Sequence, residues 1–238
     1  MFQYNAQTII NRFIPFWEQK VMPFLNRNHK KIFLAIFWIS LIGFIALTAF
    51  VTLISPQYID IHISEELQEE QSSFLDNFMR AISWFGRIRV SVVLVGCSVL
   101  YFLLLKRKKD ALLILSTLLS GGVSWVLKTL INRPRPTKDF VSILEETQFQ
   151  SFPSGHVLFY TVFFGAIIFI LLRTTRNYPL LKIAGILFSL LMIFLGAVSR
   201  VYLGAHWFTD VLGGFLVGLI FLLVAGHLYF GSNKRNFA

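Results

Sequence analysis

Hydrophobic residues run through this chain in blocks of about twenty, not in the short alternating stretches of a half-buried sheet. Blocks near 32–54, 89–105, 111–131, 157–173, 180–202 and 209–230 are each long enough to cross a bilayer as a helix. The pattern predicts an all-α fold, an integral membrane bundle of six transmembrane helices. Two stretches outside the blocks carry a helical period instead. Ile9, Ile10, Phe13, Phe16, Trp17, Val21, Phe24 and Leu25 alternate with polar residues, which fits either an interfacial helix on the inner leaflet or a partner-binding segment. Between the first two blocks, an acidic run (Glu65, Glu66, Glu69, Glu70) is followed by Phe74, Leu75, Phe78, Met79, Ile82 and Phe85 on one helical face. This second segment suits a helix lying on the outer leaflet or capping the bundle. The chain thus divides into an N-terminal segment 1–31, a membrane domain 32–231 and a tail 232–238.

Composition narrows the class. Of 238 residues, 55% are hydrophobic and 14% charged, against roughly 25% charged in a soluble domain, which excludes a disordered or ordinary soluble protein. Six spans take up about half the chain and leave no room for a second soluble domain. The single cysteine, Cys97, lies inside an apolar block, so an intramolecular disulfide is excluded. The first block starts after residue 31 with no small-residue cleavage site behind it and reads as a retained helix.

A net charge of +10 would also suit a nucleic-acid partner. Its distribution argues otherwise. With the N-terminus inside, the inner segments hold fourteen basic residues against Glu18 and Asp110, a net +12, and the other eight basic and ten acidic residues give −2. The positive-inside rule absorbs the whole excess, leaving no basic cluster for nucleic acid. Both termini are then cytoplasmic.

Three short stretches break the apolar grammar, all at the outer ends of spans in this topology. The first is Lys128 followed by Asn132-Arg133-Pro134-Arg135-Pro136; the second is Pro153-Ser154-Gly155-His156; the third is Ser199-Arg200 with His206 and Asp210. Lys128 alone would be a snorkelling anchor. With Arg135 and Arg200 converging on it, three cations repel one another unless an anion joins them, and phosphate suits guanidinium forks and an ammonium together. Pro153-Ser154-Gly155 reads equally as an ordinary helix cap or as an anion site, with Ser154 capping, Gly155 letting a ligand approach and free amides facing it. Asp210 follows His206 at i+4, so on a continuous helical turn its carboxylate would hold one ring nitrogen and free the other as nucleophile or base. A metal site is the rival reading, but no His/Cys/carboxylate cluster completes a ligand set.

In order and internal spacing, these three stretches resemble the motifs of the type 2 phosphatidic acid phosphatases, which share their pattern with vanadium haloperoxidases and bacterial acid phosphatases. The resemblance runs from about the third block to the sixth and leaves residues 1–31 uncovered. It implies that His206 attacks phosphorus and carries a phosphohistidine, that Asp210 holds its ring, and that His156 protonates the leaving group. Lys128, Arg135, Ser154, Gly155 and Arg200 would bind the phosphate oxygens. It implies no metal and no other cofactor. The expected partners are water and a membrane lipid phosphate or diphosphate, such as undecaprenyl diphosphate, phosphatidylglycerol phosphate or phosphatidic acid, with no nucleic acid. A site facing outward from the cell membrane fits a bacterial carrier-recycling step. Three alternatives remain at this point: a lipid phosphotransferase using the same phosphohistidine, a haloperoxidase holding vanadate, and a non-catalytic lipid-phosphate binder. Gly214 and Gly218 form a small-x3-small pair, read as packing within the bundle.

Overall fold

The computed structural model describes residues 22–55, 57–174 and 179–231, with the backbone alone for 22–29. Residues 1–21, which carry most of the expected interfacial segment, and the tail 232–238 lie outside the described residues. The described residues contain helices and no strand: α1 (Met22–Leu53), α2 (Gln57–Gln68), α3 (Ser73–Trp84), α4 (Ile88–Leu104), α5 (Lys108–Ser116), α6 (Leu119–Ile131), α7 (Gly155–Arg173), α8 (Pro179–Tyr202) and α9 (Phe208–Gly231). The chain divides after Ile39 within α1. The unit from Ser40 onward holds every candidate site residue.

Five of the six expected spans are long and apolar enough to cross a bilayer: Lys30–Leu53, Lys108–Ile131, α7, α8 and α9. The remaining one, α4, has 17 residues, about 25 Å of rise against a hydrocarbon core of about 30 Å. It reaches spanning length only together with α3, from which it is bent by 57°. The bend falls at Gly86, where a Cβ would lie 2.4 Å from His156 Cδ2 and 2.7 Å from Tyr160 Cε2. The backbone at the break thus presses directly on a candidate catalytic ring, and no residue but glycine fits there without displacing it.

The Lys108–Ile131 stretch is also interrupted, between α5 and α6. Thr117 Oγ1 donates to the Ile114 carbonyl (2.6 Å) and Ser120 Oγ to the Thr117 carbonyl (2.6 Å), hydroxyl bonds of the kind that loosen a helix. The amphipathic segment forms α3, begun by Ser72, whose Oγ accepts from Leu75 N at 3.3 Å. It caps the bundle: Met79 packs on Tyr202 and Leu203, and Ile82 and Phe85 pack on the main core. Phe74 stays exposed at the outer edge of that face.

α7 is the central helix. Sixty-one per cent of its apolar stretch is buried, against 17% for α8, so α7 is packed by protein on most sides and α8 is largely exposed. Phe159, Tyr160, Phe163 and Phe164 of α7 meet Val95, Ile114 and Met192 in the core, and Phe159 and Phe163 stack with centroids 5.4 Å apart. α9 lies against α7 through its glycines. A Cβ on Gly214 would come within 2.5 Å of the Ser154 carbonyl, and one on Gly218 within 2.7 Å of Thr161. The small-x3-small pair therefore packs within the chain, and it draws the start of α9 onto the start of α7.

Candidate active site

The three polar stretches meet at one end of the α6, α7, α8 and α9 assembly. α6 closes with Asn132 in the left-handed region (φ 50°), its N–H donating to the Lys128 carbonyl. Arg133-Pro134-Arg135-Pro136 then leads the chain away from the helix, because neither proline can donate to a helix or sheet ladder. The loop returns at Ser151, whose N–H donates to the Arg133 carbonyl (2.9 Å), and Ser154 N donates to the Asp210 carbonyl (2.9 Å). Phe152, fully buried, stacks on Phe44 at 5.8 Å and anchors the return. Farther out, Gln68 of α2 bonds both the amide and the carbonyl of Ser142 and the carbonyl of Tyr202.

Lys128 Nζ donates to the carbonyls of Gln150 (2.5 Å) and Ser151 (3.1 Å). Arg135 donates to the carbonyls of Gln148, Phe149, Gln150 and Ala205, and its Nη1 lies 3.4 Å from His206 Nε2. The shared Gln150 carbonyl joins the first two cations, and the Ala205 carbonyl ties Arg135 to the third stretch. Burial first, then the Arg200 charge, lowers the Arg135 pKa to about 10, which leaves it cationic at neutral pH.

Arg200, in the last turn of α8, is completely buried. Its Nη1 donates to Ser83 Oγ and, at 3.1 Å, to Glu145 Oε2. Glu145 also accepts from Ser83 (2.9 Å) and from Arg87 Nη2 (3.4 Å). Burial alone would raise the Glu145 pKa, but the charge of Arg200, the Ser83 hydroxyl and Arg87 together hold it below the ordinary carboxylate value. The three expected cations thus already have one internal counter-ion, Glu145, held in place by Leu144 N and Glu145 N donating to the Leu203 carbonyl. Arg200 Nε and Nη2 find no partner among the described residues.

His206 does not sit on a helix. α9 begins two residues later, and Asp210 occupies its first turn, where one carboxylate oxygen accepts from Trp207 N (2.8 Å) and from Ser151 Oγ. The i+4 spacing therefore builds half of a capping box, not a continuous helical turn. The pair still meets: His206 Nδ1 lies 3.4 Å from Asp210 Oδ2 and 3.4 Å from Ser151 Oγ, leaving Nε2 toward Arg135. His206 is 2% exposed. Burial, followed by the charges of Arg135, Lys128 and Arg200, places its pKa well below 6.5, so the ring is neutral at pH 7 and keeps one lone pair.

Ser154 occupies the N-cap position of α7, yet its hydroxyl makes no capping bond and is buried without a partner among the described residues. The expectation that its side chain caps the helix is therefore corrected. Gly155 also differs from expectation. The space over its α-carbon is taken by Ser124 Oγ (2.8 Å from a would-be Cβ) and approached by Lys128 Cε (3.9 Å), so this glycine admits α6 more than a ligand. His156 Nε2 is also buried without a partner among the described residues, in the field of Arg200, His206, Arg135 and Lys128.

One residue without a role in the sequence motifs holds Asp210 from behind. Arg133, 9% exposed, donates through Nη1 to Asp210 Oδ1 (2.5 Å) and Thr209 Oγ1 (2.7 Å), and through Nη2 to Asp60 Oδ2 (2.6 Å). Asp60 of α2, fully buried, also accepts from Thr209 N at 2.9 Å. Asp210 is thus fixed by Arg133, and Arg133 by Asp60. Among the described residues, no three of His, Cys, Asp and Glu converge as a metal-binding group.

Residues 110–234, more than half of the chain, match the PAP2 superfamily, and every motif just described lies within that range. The chain belongs to the PAP2 superfamily. Over 192 residues, this PAP2 chain is 32% identical to phosphatidylglycerophosphatase B of Bacillus subtilis (strain 168), covering 77% of this chain and 90% of that protein. It is 28% identical over 189 residues to an undecaprenyl-diphosphatase of Sulfolobus acidocaldarius, covering 76% and 85%. The crystal structure of a transmembrane PAP2-type phosphatidylglycerolphosphate phosphatase from Bacillus subtilis superposes with a TM-score of 0.73 at 27% identity, over 83% of this chain and 96% of that one. The expected resemblance and all-α membrane fold hold, and this PAP2 protein is a multi-pass membrane phosphoric ester hydrolase. The non-catalytic reading falls away.

Proposed function

We propose that this PAP2 protein removes a terminal phosphate from a lipid phosphate or diphosphate at the extracytoplasmic face of the cell membrane, through a phosphohistidine and without a metal. The observation that carries the reading is that, of the five buried side-chain atoms without a partner among the described residues, four belong to the polar stretches, Ser154 Oγ, His156 Nε2 and Arg200 Nε and Nη2, the fifth being Thr161 Oγ1 farther along α7; His156 and Arg200 act electrostatically on a neutral His206. Leaving such groups unpaired costs about 1–3 kcal/mol each, more for a charged one, and a tetrahedral oxyanion satisfies the donors at once. The single membrane domain spans about 32–231, and the charge bias puts both termini in the cytoplasm.

In this reading His206 Nε2 attacks phosphorus while its Nδ1–H is held toward Asp210 and Ser151, a tautomer inferred from those neighbours. The bond from phosphorus to the leaving oxygen breaks as His156 gives that oxygen a proton. Water, deprotonated by His156, then attacks the phosphohistidine, and inorganic phosphate departs with His206 restored. Lys128, Arg135 and Arg200, with Ser154 Oγ and the Gly155 amide, stabilise the charge that builds on the phosphoryl oxygens. Phosphatidylglycerol phosphate and undecaprenyl diphosphate head the candidate substrates because relatives carry those activities in their names; phosphatidic acid is the third.

A phosphate-release panel over purified lipid phosphates tests this. Release from at least one of the three lipids is expected to persist in chelator and to be blocked by vanadate, which mimics the five-coordinate phosphorus. A strict magnesium requirement, or label passed to a lipid acceptor with no free phosphate, would count against it.

The depressed pKa of His206 sets a pH dependence. The unfolded chain binds a proton at this ring below about pH 6.5, whereas the folded protein binds it only at lower pH. The unfolded state therefore holds more protons in that window, and stability at this site is full above about 6.5 and lost as pH falls toward the folded value. Thermal midpoints are expected to fall from pH 7 to pH 5 with a shallower slope in His206→Gln; identical slopes would rule out this origin.

A further inference from the structure

The half of the bundle away from the catalytic residues carries a second candidate binding site. From His156 to Arg173, α7 makes seventeen steps of about 1.5 Å, roughly 25 Å in all, so its far end lies near the opposite membrane surface. There a cavity of about 410 Å³ is lined by Lys106, Arg107, Lys108, Lys109, Asp110 and Arg173. Five of the six side chains are cationic. The one carboxylate, Asp110, is already engaged: Arg107 Nε pairs with it, the Tyr229 hydroxyl donates to it, and Arg173 Nη1 stands 4.0 Å away. Positive-inside bias accounts for basic residues in a cytoplasmic loop. It places Arg173 on the same side as well, but it does not bring that side chain from another helix onto the recess and over the Tyr229 ring at 4.9 Å.

Next to this cavity, and sharing Lys109 with it, runs an apolar groove of about 510 Å³. Leu112, Leu113 and Leu119 form one wall and Val217, Phe221 and Leu228 the other. On α9 the lining positions extend from Val217 to Tyr229, twelve steps or about 18 Å, close to the roughly 15 Å of one leaflet's hydrocarbon. A basic recess beside an apolar groove about one leaflet deep suits a molecule with a negative headgroup and a long acyl chain.

We propose that an anionic glycerophospholipid of the leaflet opposite the active site binds here, its phosphate among Lys108, Lys109 and Arg173 and one acyl chain along the α5–α6 and α9 groove. The proposal rests on the bundle spanning a bilayer and not on the reaction at His206, so either can fail without the other.

Native mass spectrometry of the full-length protein in detergent, offered phosphatidylglycerol and phosphatidylcholine with the same acyl chains, tests it. One phosphatidylglycerol is expected to be retained in preference to phosphatidylcholine. K108Q/K109Q, at two exposed positions, is expected to lower that retention roughly thirtyfold, and K108R/K109R to restore it. Ala225→Phe, which fills the groove, is expected to lower it with the basic recess intact. Both neutralised and groove-filled proteins should still melt cooperatively, and a charge variant that binds like the original overturns the proposal. So does equal retention of the two lipids, displacement by millimolar inorganic phosphate, which would mark a bare anion site, or a dimer mass in place of bound lipid, which would assign the groove to a second copy of the chain.

Discussion

His206→Ala is expected to lower phosphate release by at least about 10⁴-fold, the scale on which losing an activated nucleophile acts, with the thermal midpoint at pH 7 nearly kept. The ring is buried and neutral, and its removal strands no charge: Asp210 keeps Arg133, the Ser151 hydroxyl and the Trp207 amide. Substrate binding should survive, because the cations and the Ser154 hydroxyl are untouched. Turnover assays beside a binding measurement with vanadate or a non-hydrolysable phosphonate check both halves. Near-normal turnover would remove His206 from the chemistry.

Arg133→Met is expected to cost about 3–5 kcal/mol of stability, the usual consequence of deleting one partner from a buried ion pair. Among the described residues, the guanidinium is the one cation paired with two fully buried carboxylates, Asp60 and Asp210. Without it, both are left charged in a low-dielectric interior or must take up protons. Activity should fall with stability, since Asp210 loses the group that fixes it beside His206. R133M/D60N is expected to recover part of the lost midpoint, because one stranded charge is then gone. A midpoint unchanged in R133M would show that the network adds nothing to the fold.

The spans were legible because a twenty-residue apolar run has few other uses in a protein, and five of them form as expected. α4 and α3 show where that logic runs out. Apolarity measures whether a segment tolerates lipid, but the bend at Gly86 is set by Tyr160 and His156 from α7, contacts that no local pattern contains. The site was legible to the degree that its residues stand out against apolar neighbours. Lys128, His156 and Arg200 lie in or at the ends of spans, where a polar side chain is costly enough to need a reason.

Arg133 was obscured by its neighbour. In Arg133-Pro134-Arg135-Pro136 two arginines alternate with two prolines, and an extended chain would put residues i and i+2 on one face, yet one arginine turns to Asp60 and Asp210 and the other to His206. The sequence does not say which. Asp60 sits in Tyr58-Ile59-Asp60-Ile61, an acid among apolar residues just ahead of a run of glutamates, and that isolation is its one local signal. Glu145 and Glu146 are adjacent too, yet one is held by Arg200 and the other is exposed beside Lys138. Only the fold of the 132–154 loop separates them.

Phosphoryl transfer to His206 is the centre of the account, and rapid quenching tests it directly. Phosphatidylglycerol phosphate carrying a radiolabelled terminal phosphate is mixed with enzyme, stopped in alkali during turnover, and the peptides are mapped. The predicted result is a base-stable, acid-labile label on the peptide bearing His206, absent from His206→Ala. Label on His156, or continued phosphate release with no protein-bound label at any time, would contradict it.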